Sequence, residues 1–346
     1  MAPKSLSLAF DPSVKLTTIF EDEHVIGIAK PPGILAHPSP GFWERGTVAH
    51  ALVGRVSPSM MEERANHNEH DSFIPHCIVH RLDAGTSGVM VIAKTQEAQW
   101  RLTEEMRTAD APRVIDDSEA AGAKVYVTVL LGHPGGAMRK PCITVDGPIG
   151  RDPENSRRWA VVPDGKHART VLRVHAFNEA ANLALVTAEL FSGRTHQIRV
   201  HCAHVGAPVA SDPIYAPKSA NSAFGQAVGR RLPPKRQLLH AWALNLRHPE
   251  RNRGMLCIRA TLPGDLATIV SKFFPDLGAD PGAWPGIPQR LKADSSAKQG
   301  SCLIQHVRAD ELTEVEKSWI EWWDASAEGQ AWKEGQRQQQ PERHAK

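Results

Sequence analysis

Nowhere in the 346 residues do about eighteen apolar side chains run together, the length a helix needs to cross a bilayer. The densest apolar stretches, such as 125–131, are strand-sized, so no membrane partner is expected. Cysteine is sparse: Cys77, Cys142, Cys202, Cys257 and Cys302 are odd in number, scattered, and form no CxxC pair. That excludes a disulfide scaffold and a zinc ribbon and favours a reducing compartment. The first sixteen residues hold neither a signal-peptide core nor an arginine. A cytoplasmic location is therefore expected, with an organelle such as the mitochondrion as the alternative. With 41% hydrophobic residues the composition is that of a folded globular chain.

Charge of one sign is also scarce, with 41 Lys+Arg against 38 Asp+Glu and a net of +3. The balance is uneven along the chain. Residues 264–346 hold 10 Lys+Arg and 13 Asp+Glu, which leaves 31 and 25 in the preceding 263, along with 15 of the 17 histidines. A basic body with an acidic end suits a polyanionic partner such as nucleic acid.

From Thr17 onward, short apolar runs alternate with single helical patterns, punctuated by Gly and Pro. Residues 25–29 read as a strand stopped by Lys30-Pro31-Pro32-Gly33, and 88–93 as a buried strand. Ala98, Leu102 and Met106 are spaced for a helix, while 171–177 and 183–190 form the two arms of a hairpin. Residues 195–205 read as a short helix capped by Thr195 and closed by Gly206. This pattern predicts an α+β fold with a mixed, largely antiparallel sheet flanked by helices and loops. Three parts are expected: a lead over 1–16, a catalytic domain over 17–262, and a C-terminal extension over 263–346. The extension should be an accessory segment, partly helical over 312–323, where Trp319, Trp322 or Trp323 would pack back on the body, with a disordered end. Residues 55–76 read as an exposed loop.

Three constellations could carry chemistry. The first is His80-Arg81-Leu82-Asp83-Ala84-Gly85-Thr86-Ser87-Gly88, directly before the 89–93 strand. Asp83 there is either a rigidly mounted nucleophile or general base, or a carboxylate that merely caps its turn. The second is Ser192-Gly193-Arg194-Thr195-His196-Gln197-Ile198-Arg199. Arg194 and Arg199 suit either phosphates or a buried carboxylate. Zinc on His196, His201, Cys202 and His204 is not expected, because His196 and His201 fall on different helix faces and no HExxH or CxxC partner exists. The third is the strand around Tyr126, one of only two tyrosines. Alternation puts Lys124, Tyr126, Thr128 and Leu130 on one face, leaving Tyr126 to stack on a base or simply to pack.

HRLDAGTSG before a buried strand resembles the HRLDxxTSG motif of the RluA-type RNA pseudouridine synthases. Four more blocks follow that family's order: Lys30-Pro31-Pro32-Gly33 with His37-Pro38, then KVYVTVLLG, then SGRTHQIRVHCAHVGAPVASDPIY, then His240-Ala241 with His248-Pro249. The departures (Thr128, Leu130, Ser192 and Ser211) touch no position with a catalytic role. The resemblance covers roughly residues 17–262. It implies a pseudouridine-synthase-like core that isomerises specific uridines in structured RNA, rRNA or tRNA, without cofactor or metal and as a monomer.

By the same resemblance Asp83 is the catalytic aspartate, Tyr126 contacts the target base and Arg199 pairs with Asp83. Arg81, His80, Arg194, His196, Thr86 and Lys124 are the expected RNA-binding residues. Arg81 would either fill the space left by a flipped base or clamp a phosphate. The RNA-binding domain that often precedes this core is not expected in the sixteen residues before Thr17. Two other readings compete: a non-catalytic RNA-binding relative, which residues 83, 126 and 199 argue against, and a carboxylate-dependent nucleoside or glycoside hydrolase. The latter usually needs two facing carboxylates, and no second acid is expected beside Asp83.

Overall fold

The computed structural model describes residues 7–63, 73–108, 124–156, 158–229, 236–250, 253–285 and 287. The chain opens with a hairpin, β1 (Thr17–Glu21) and β2 (Val25–Lys30), closed by Asp22, whose Oδ1 accepts the His24 and Val25 amides at 2.8 and 2.9 Å. A short helix α1 (Val48–Ala51) and the loop carrying Asp83 precede β3 (Ser87–Ala93). All seven β3 residues are buried, as the unbroken apolar run requires of a strand covered on both faces. Then follow α2 (Gln96–Thr108) and β4 (Lys124–Leu131). Next come β5 (Cys142–Asp146) and a separate small pair, β6 (Ile149–Arg151) with β7 (Trp159–Val161). The expected hairpin is β8 (Arg169–Asn178) with β9 (Leu183–Leu190). The remaining elements are α3 (Gln197–His204), α4 (Lys218–Val228), β10 (Leu239–Arg247), β11 (Met255–Arg259) and α5 (Gly264–Phe273).

The large sheet runs β1-β2-β3-β10-β4-β9-β8-β5, with β11 also joined to β10. Every pairing is antiparallel except β3 with β10, so the expected mixed, largely antiparallel α+β architecture is borne out. That parallel contact is short, His240 beside Ser87 and Ala241 beside Gly88. Gly88 has φ +119°, and a Cβ there would collide with the Ala241 backbone. Only glycine lets the chain leave the Asp83 loop and lie this close to β10.

Three of the four apolar clusters among the described residues hold the layers of the large sheet together. The first surrounds β2 and β3 and takes Ala98, Leu102 and Met106 of α2, the predicted spacing. The second joins Val125, Val127 and Val129 of β4 to Phe224 of α4 and to Leu266, Ile269 and Val270 of α5. The third packs Ile198 and Cys202 of α3 on Leu130, Val186 and Ala188. Each such fully buried aliphatic side chain is worth about 1.5–3 kcal/mol.

The second cluster runs past the expected domain boundary at 262. Phe274, Trp284 and Ile287 belong to it, and Trp284 is 2% exposed. Residues 264–285 are thus part of the packed body rather than an accessory segment. The expected 312–323 helix with its three tryptophans lies outside the described residues. The 55–76 loop contains a short turn of helix at Pro58–Met61, and its residues 64–72 are likewise outside.

Candidate active site

The loop before β3 is fixed through its backbone. Thr86 N–H donates to the Asp83 carbonyl at 3.0 Å, closing a turn. The Ala84 carbonyl accepts from Gly33 N–H at 2.7 Å and from the Lys30 ammonium at 3.2 Å. The Gly85 carbonyl accepts from Arg236 Nη1 at 2.8 Å, and Gln237 Nε2 donates to the Thr86 hydroxyl at 3.0 Å. Three successive carbonyls are therefore held from three separate parts of the chain. Lys30 is 1% exposed and also donates to the Pro31 and Ile34 carbonyls. Burial draws its pKa down to about 7, against the pull of nearby Asp83.

The side chain of Asp83 meets α3. Arg199 Nη1 donates to Asp83 Oδ2 at 2.7 Å, while Arg199 Nε and Nη2 grip Asp212 at 2.6 and 2.9 Å. Asp212 is fully buried, and its Oδ1 also accepts the Ile214 and Tyr215 amides. Burial opposes the charge on Arg199, yet Asp212 and Asp83 outweigh it and raise the guanidinium's pKa above its ordinary value. The result is a fixed cation presented to Asp83, whose side chain stays 29% exposed. Among the described residues every contact on the carboxylate falls on Oδ2, which leaves Oδ1 open.

Asp212 corrects one expectation, for a second acid does stand near Asp83. It lies behind Arg199 with both oxygens engaged, so it does not face Asp83 across a substrate site as a hydrolase pair would.

A cavity of about 70 Å³ lies beside Asp83, lined by Tyr126, Thr86, Leu190, Ile198 and Leu239 among others. A wider cleft of about 510 Å³ adjoins it, sharing Arg81, Asp83, His196 and Arg199, and extending to His37, Ile214 and Gln237. Tyr126 reaches the small cavity from β4, and burial, with Asp83 nearby, pushes its phenol pKa up, so it stays neutral. The structure therefore gathers Asp83, Tyr126 and Arg199, which lie far apart in sequence, around one opening.

The other expected residues divide. Arg81 is exposed at the cleft mouth with Nη1 3.4 Å from His37 Nε2. Arg194 lines the small cavity and donates from Nε to the His167 carbonyl. His196 lines both openings. His80, expected to meet RNA, instead turns into the fold. Its Nε2 accepts from Val91 N–H at 2.8 Å, and burial, with Lys124 nearby, pulls its pKa down to about 3. Thr86 is 2% exposed and serves Gln237, although it touches the cavity wall. Lys124 is half-buried at the start of β4 and lines neither opening. The histidine cluster on α3 is dispersed: His201 is hydrogen-bonded to Thr170 and to the Gly147 carbonyl, and Cys202 is in the core.

The helix start also differs from expectation. The residue capping α3 is His196, in the left-handed conformation at φ +57°, and not Thr195. Gln197 organises the turn instead: its Oε1 accepts from the Ser192 hydroxyl and Arg194 N–H, and its Nε2 donates to the Arg169 carbonyl and Thr170. Sequence reasoning missed Asp212, Tyr215, Arg236, Gln237 and Asp265. For Asp212 a signal existed, a lone acid in the apolar stretch 207–215.

A carboxylate turned toward a cleft, a guanidinium fixed behind it and an aromatic ring beside it form this site. The RNA pseudouridylate synthase model matches residues 24–204. The ribosomal large subunit pseudouridine synthase D of Nitrosomonas europaea is 38% identical over 259 residues, which are 75% of this chain and 65% of that protein. The protein of the same name from Escherichia coli K12 is 36% identical over 270 residues, 75% of this chain and 72% of its own. Among solved structures, human RNA pseudouridylate synthase domain containing 4 gives a TM-score of 0.52 at 21% identity, covering 74% of this chain and 92% of its own. Human RNA pseudouridylate synthase domain containing 1 gives 0.51 at 20%, covering 77% and 89%. These two share the fold. The chain belongs to the RNA pseudouridylate synthase family, and the RluA-type resemblance is borne out.

Proposed function

We propose that the protein isomerises uridine to pseudouridine in RNA, with Asp83 as the reacting carboxylate and Oδ1 as its working oxygen. The observation that carries this reading is the Arg199–Asp83 contact at 2.7 Å on the edge of a cavity that also holds Tyr126. The reaction breaks the bond from C1′ to N1, turns the detached uracil and joins C1′ to C5, where the C5 hydrogen then leaves as a proton while N1 takes a proton up. Composition and oxidation level are unchanged, so neither oxidant nor reductant enters. A carboxylate serves as nucleophile or as charge stabiliser, and Arg199 fixes its position through the 2.7 Å contact. Reaching a base inside a helix costs a few kcal/mol. Stacking on Tyr126 returns about 1–3 kcal/mol of this. Arg81 at the cleft mouth is placed to contact the RNA beside the extruded nucleotide.

The RNA of the large ribosomal subunit is the proposed substrate, because relatives with 34–38% identity carry that description. The protein would act as a monomer in the cytoplasm. Incubating it with large-subunit RNA and with tRNA, then mapping pseudouridine and free uracil, tests the reading. Pseudouridine in the ribosomal RNA without released uracil is expected, and Asp83→Ala should abolish it while the protein stays folded. Released uracil, or full activity of Asp83→Ala, would overturn the assignment.

A further inference from the structure

Beyond the aspartate, arginine and tyrosine, one histidine is built into the site in a way that fixes where its proton lies. His196 Nδ1 is 2.9 Å from the Tyr215 hydroxyl, and its Nε2 is 3.7 Å from Asp83 Oδ2. The Tyr215 oxygen already accepts Trp159 N–H, from the start of β7, at 3.1 Å. Its own hydrogen needs an acceptor, and His196 Nδ1 is within reach. If Nδ1 accepts, the ring proton is on Nε2 and points at the carboxylate. The other tautomer would turn the Nε2 lone pair toward Asp83. Both ends of the ring therefore select the same form.

We infer that His196 is a positioning residue for Asp83, held by Tyr215 in the Nε2–H tautomer so that it steadies Oδ2 and leaves Oδ1 for the substrate. The backbone supports this. His196 stands at φ +57°, a conformation uncommon outside glycine, on the turn that starts α3. Its ring packs edge-on against Tyr215 at 5.7 Å, and the Arg199 guanidinium lies 5.0 Å from the same tyrosine ring. At 3.7 Å the Nε2 contact is longer than a hydrogen bond. Contacts of this kind tighten when substrate closes a site.

The charged groups facing the ring are Asp83, Arg199, Asp212 and Arg81. Burial lowers the histidine's pKa. Arg199 and Arg81 add to the fall while Asp83 and Asp212 oppose it, and the net result keeps the ring neutral near pH 7. Tyr215 remains a phenol, its pKa raised by burial. The inference rests on the proposed chemistry for its consequence, but not for its geometry.

Two measurements test it. Nitrogen-15 NMR of the histidine-labelled full chain, with His196 assigned by its loss in His196→Asn, reads the tautomer directly. The proton is expected on Nε2, and a proton on Nδ1 overturns the proposal whether or not the protein is active. Kinetics on ribosomal RNA then read the role. Asparagine tolerates the left-handed conformation but is too short to reach Asp83, so His196→Asn should fold with kcat about 10–100-fold down and KM little changed. Glutamine places an N–H near the Nε2 position, so His196→Gln should recover most of kcat. Equal loss in both variants, unchanged kcat in His196→Asn, or a loss confined to KM would overturn the positioning role. A wild-type protein that forms no pseudouridine would instead sink the proposed activity and leave the tautomer result standing.

Discussion

Asp265, near the start of α5, accepts from Arg236 Nε at 2.7 Å, and Arg236 in turn donates to the Gly85 carbonyl inside the loop that presents Asp83. Arg236 also donates to the Gln237 and Leu239 carbonyls and to the Ser87 hydroxyl, and is 1% exposed. A guanidinium this deep needs its counter-charge. Removing one partner of such a pair costs about 3–5 kcal/mol.

Asp265→Ala should therefore lower stability by about 3 kcal/mol and reduce turnover, because the loop loses its support from behind. Urea unfolding and pseudouridine assays on the same preparation check both effects. A chain ending at Pro263 loses this contact together with Leu266, Ile269, Val270 and Trp284 of the second cluster. It is expected not to fold. A soluble, cooperative and active truncation would refute this.

Arg199 holds two carboxylates, so its loss should show twice. Arg199→Ala leaves Asp212 buried without its cation, at about 3–5 kcal/mol, and leaves Asp83 without its nearest donor. Turnover should fall sharply. The salt dependence of RNA binding should hardly move, since each phosphate contact contributes about 0.7–0.9 to that slope and Arg199 makes none in this reading. Arg199→Lys should not restore activity, because a single ammonium cannot span Asp83 and the two oxygens of Asp212. A lowered salt slope with intact turnover at saturation would reassign the residue to RNA binding.

His240 sets a pH dependence. It is 2% exposed, with Nδ1 2.9 Å from the Ser87 hydroxyl and Nε2 3.2 Å from the Ala260 carbonyl. Burial draws its pKa down to about 4. Between about pH 4 and the ordinary histidine value near 6.5 the unfolded chain thus binds the proton that the folded chain refuses. Stability contributed by this group is present above pH 6.5 and falls as the pH drops toward 4, by up to about 1.4 kcal/mol per pH unit. The urea midpoint should decline from pH 7 to pH 5, and less steeply in His240→Gln. Identical slopes in the two proteins would show that His240 does not titrate this way.

What the sequence disclosed follows the range of each interaction. The β8–β9 hairpin and the α2 stripe were legible because two- and four-residue periods are local. The pairing of Asp83 with Arg199, 116 positions apart, came from a family motif and not from any periodicity. The Thr195 cap failed because Gln197 and Tyr215, through side-chain contacts, shape that turn. The direction of His80 was not legible, because its place three residues before Asp83 says nothing of where the ring turns, and the ring accepts from Val91 N–H. Arg236 carried no local mark at all; its importance arises only where β10 comes to lie along β3.

The Arg236–Asp265 contact also has a consequence in time. Synthesis runs from the N-terminus, and Asp83, Tyr126 and Arg199 all emerge from the ribosome well before α5 does. Until residue 265 is free to fold, Arg236 lacks its counter-charge and β10, which follows it, lacks the helix packed behind it. The nascent chain thus carries the Asp83 loop without this support until residue 265 has emerged. The loop is therefore braced from behind only once α5 has joined the packed body.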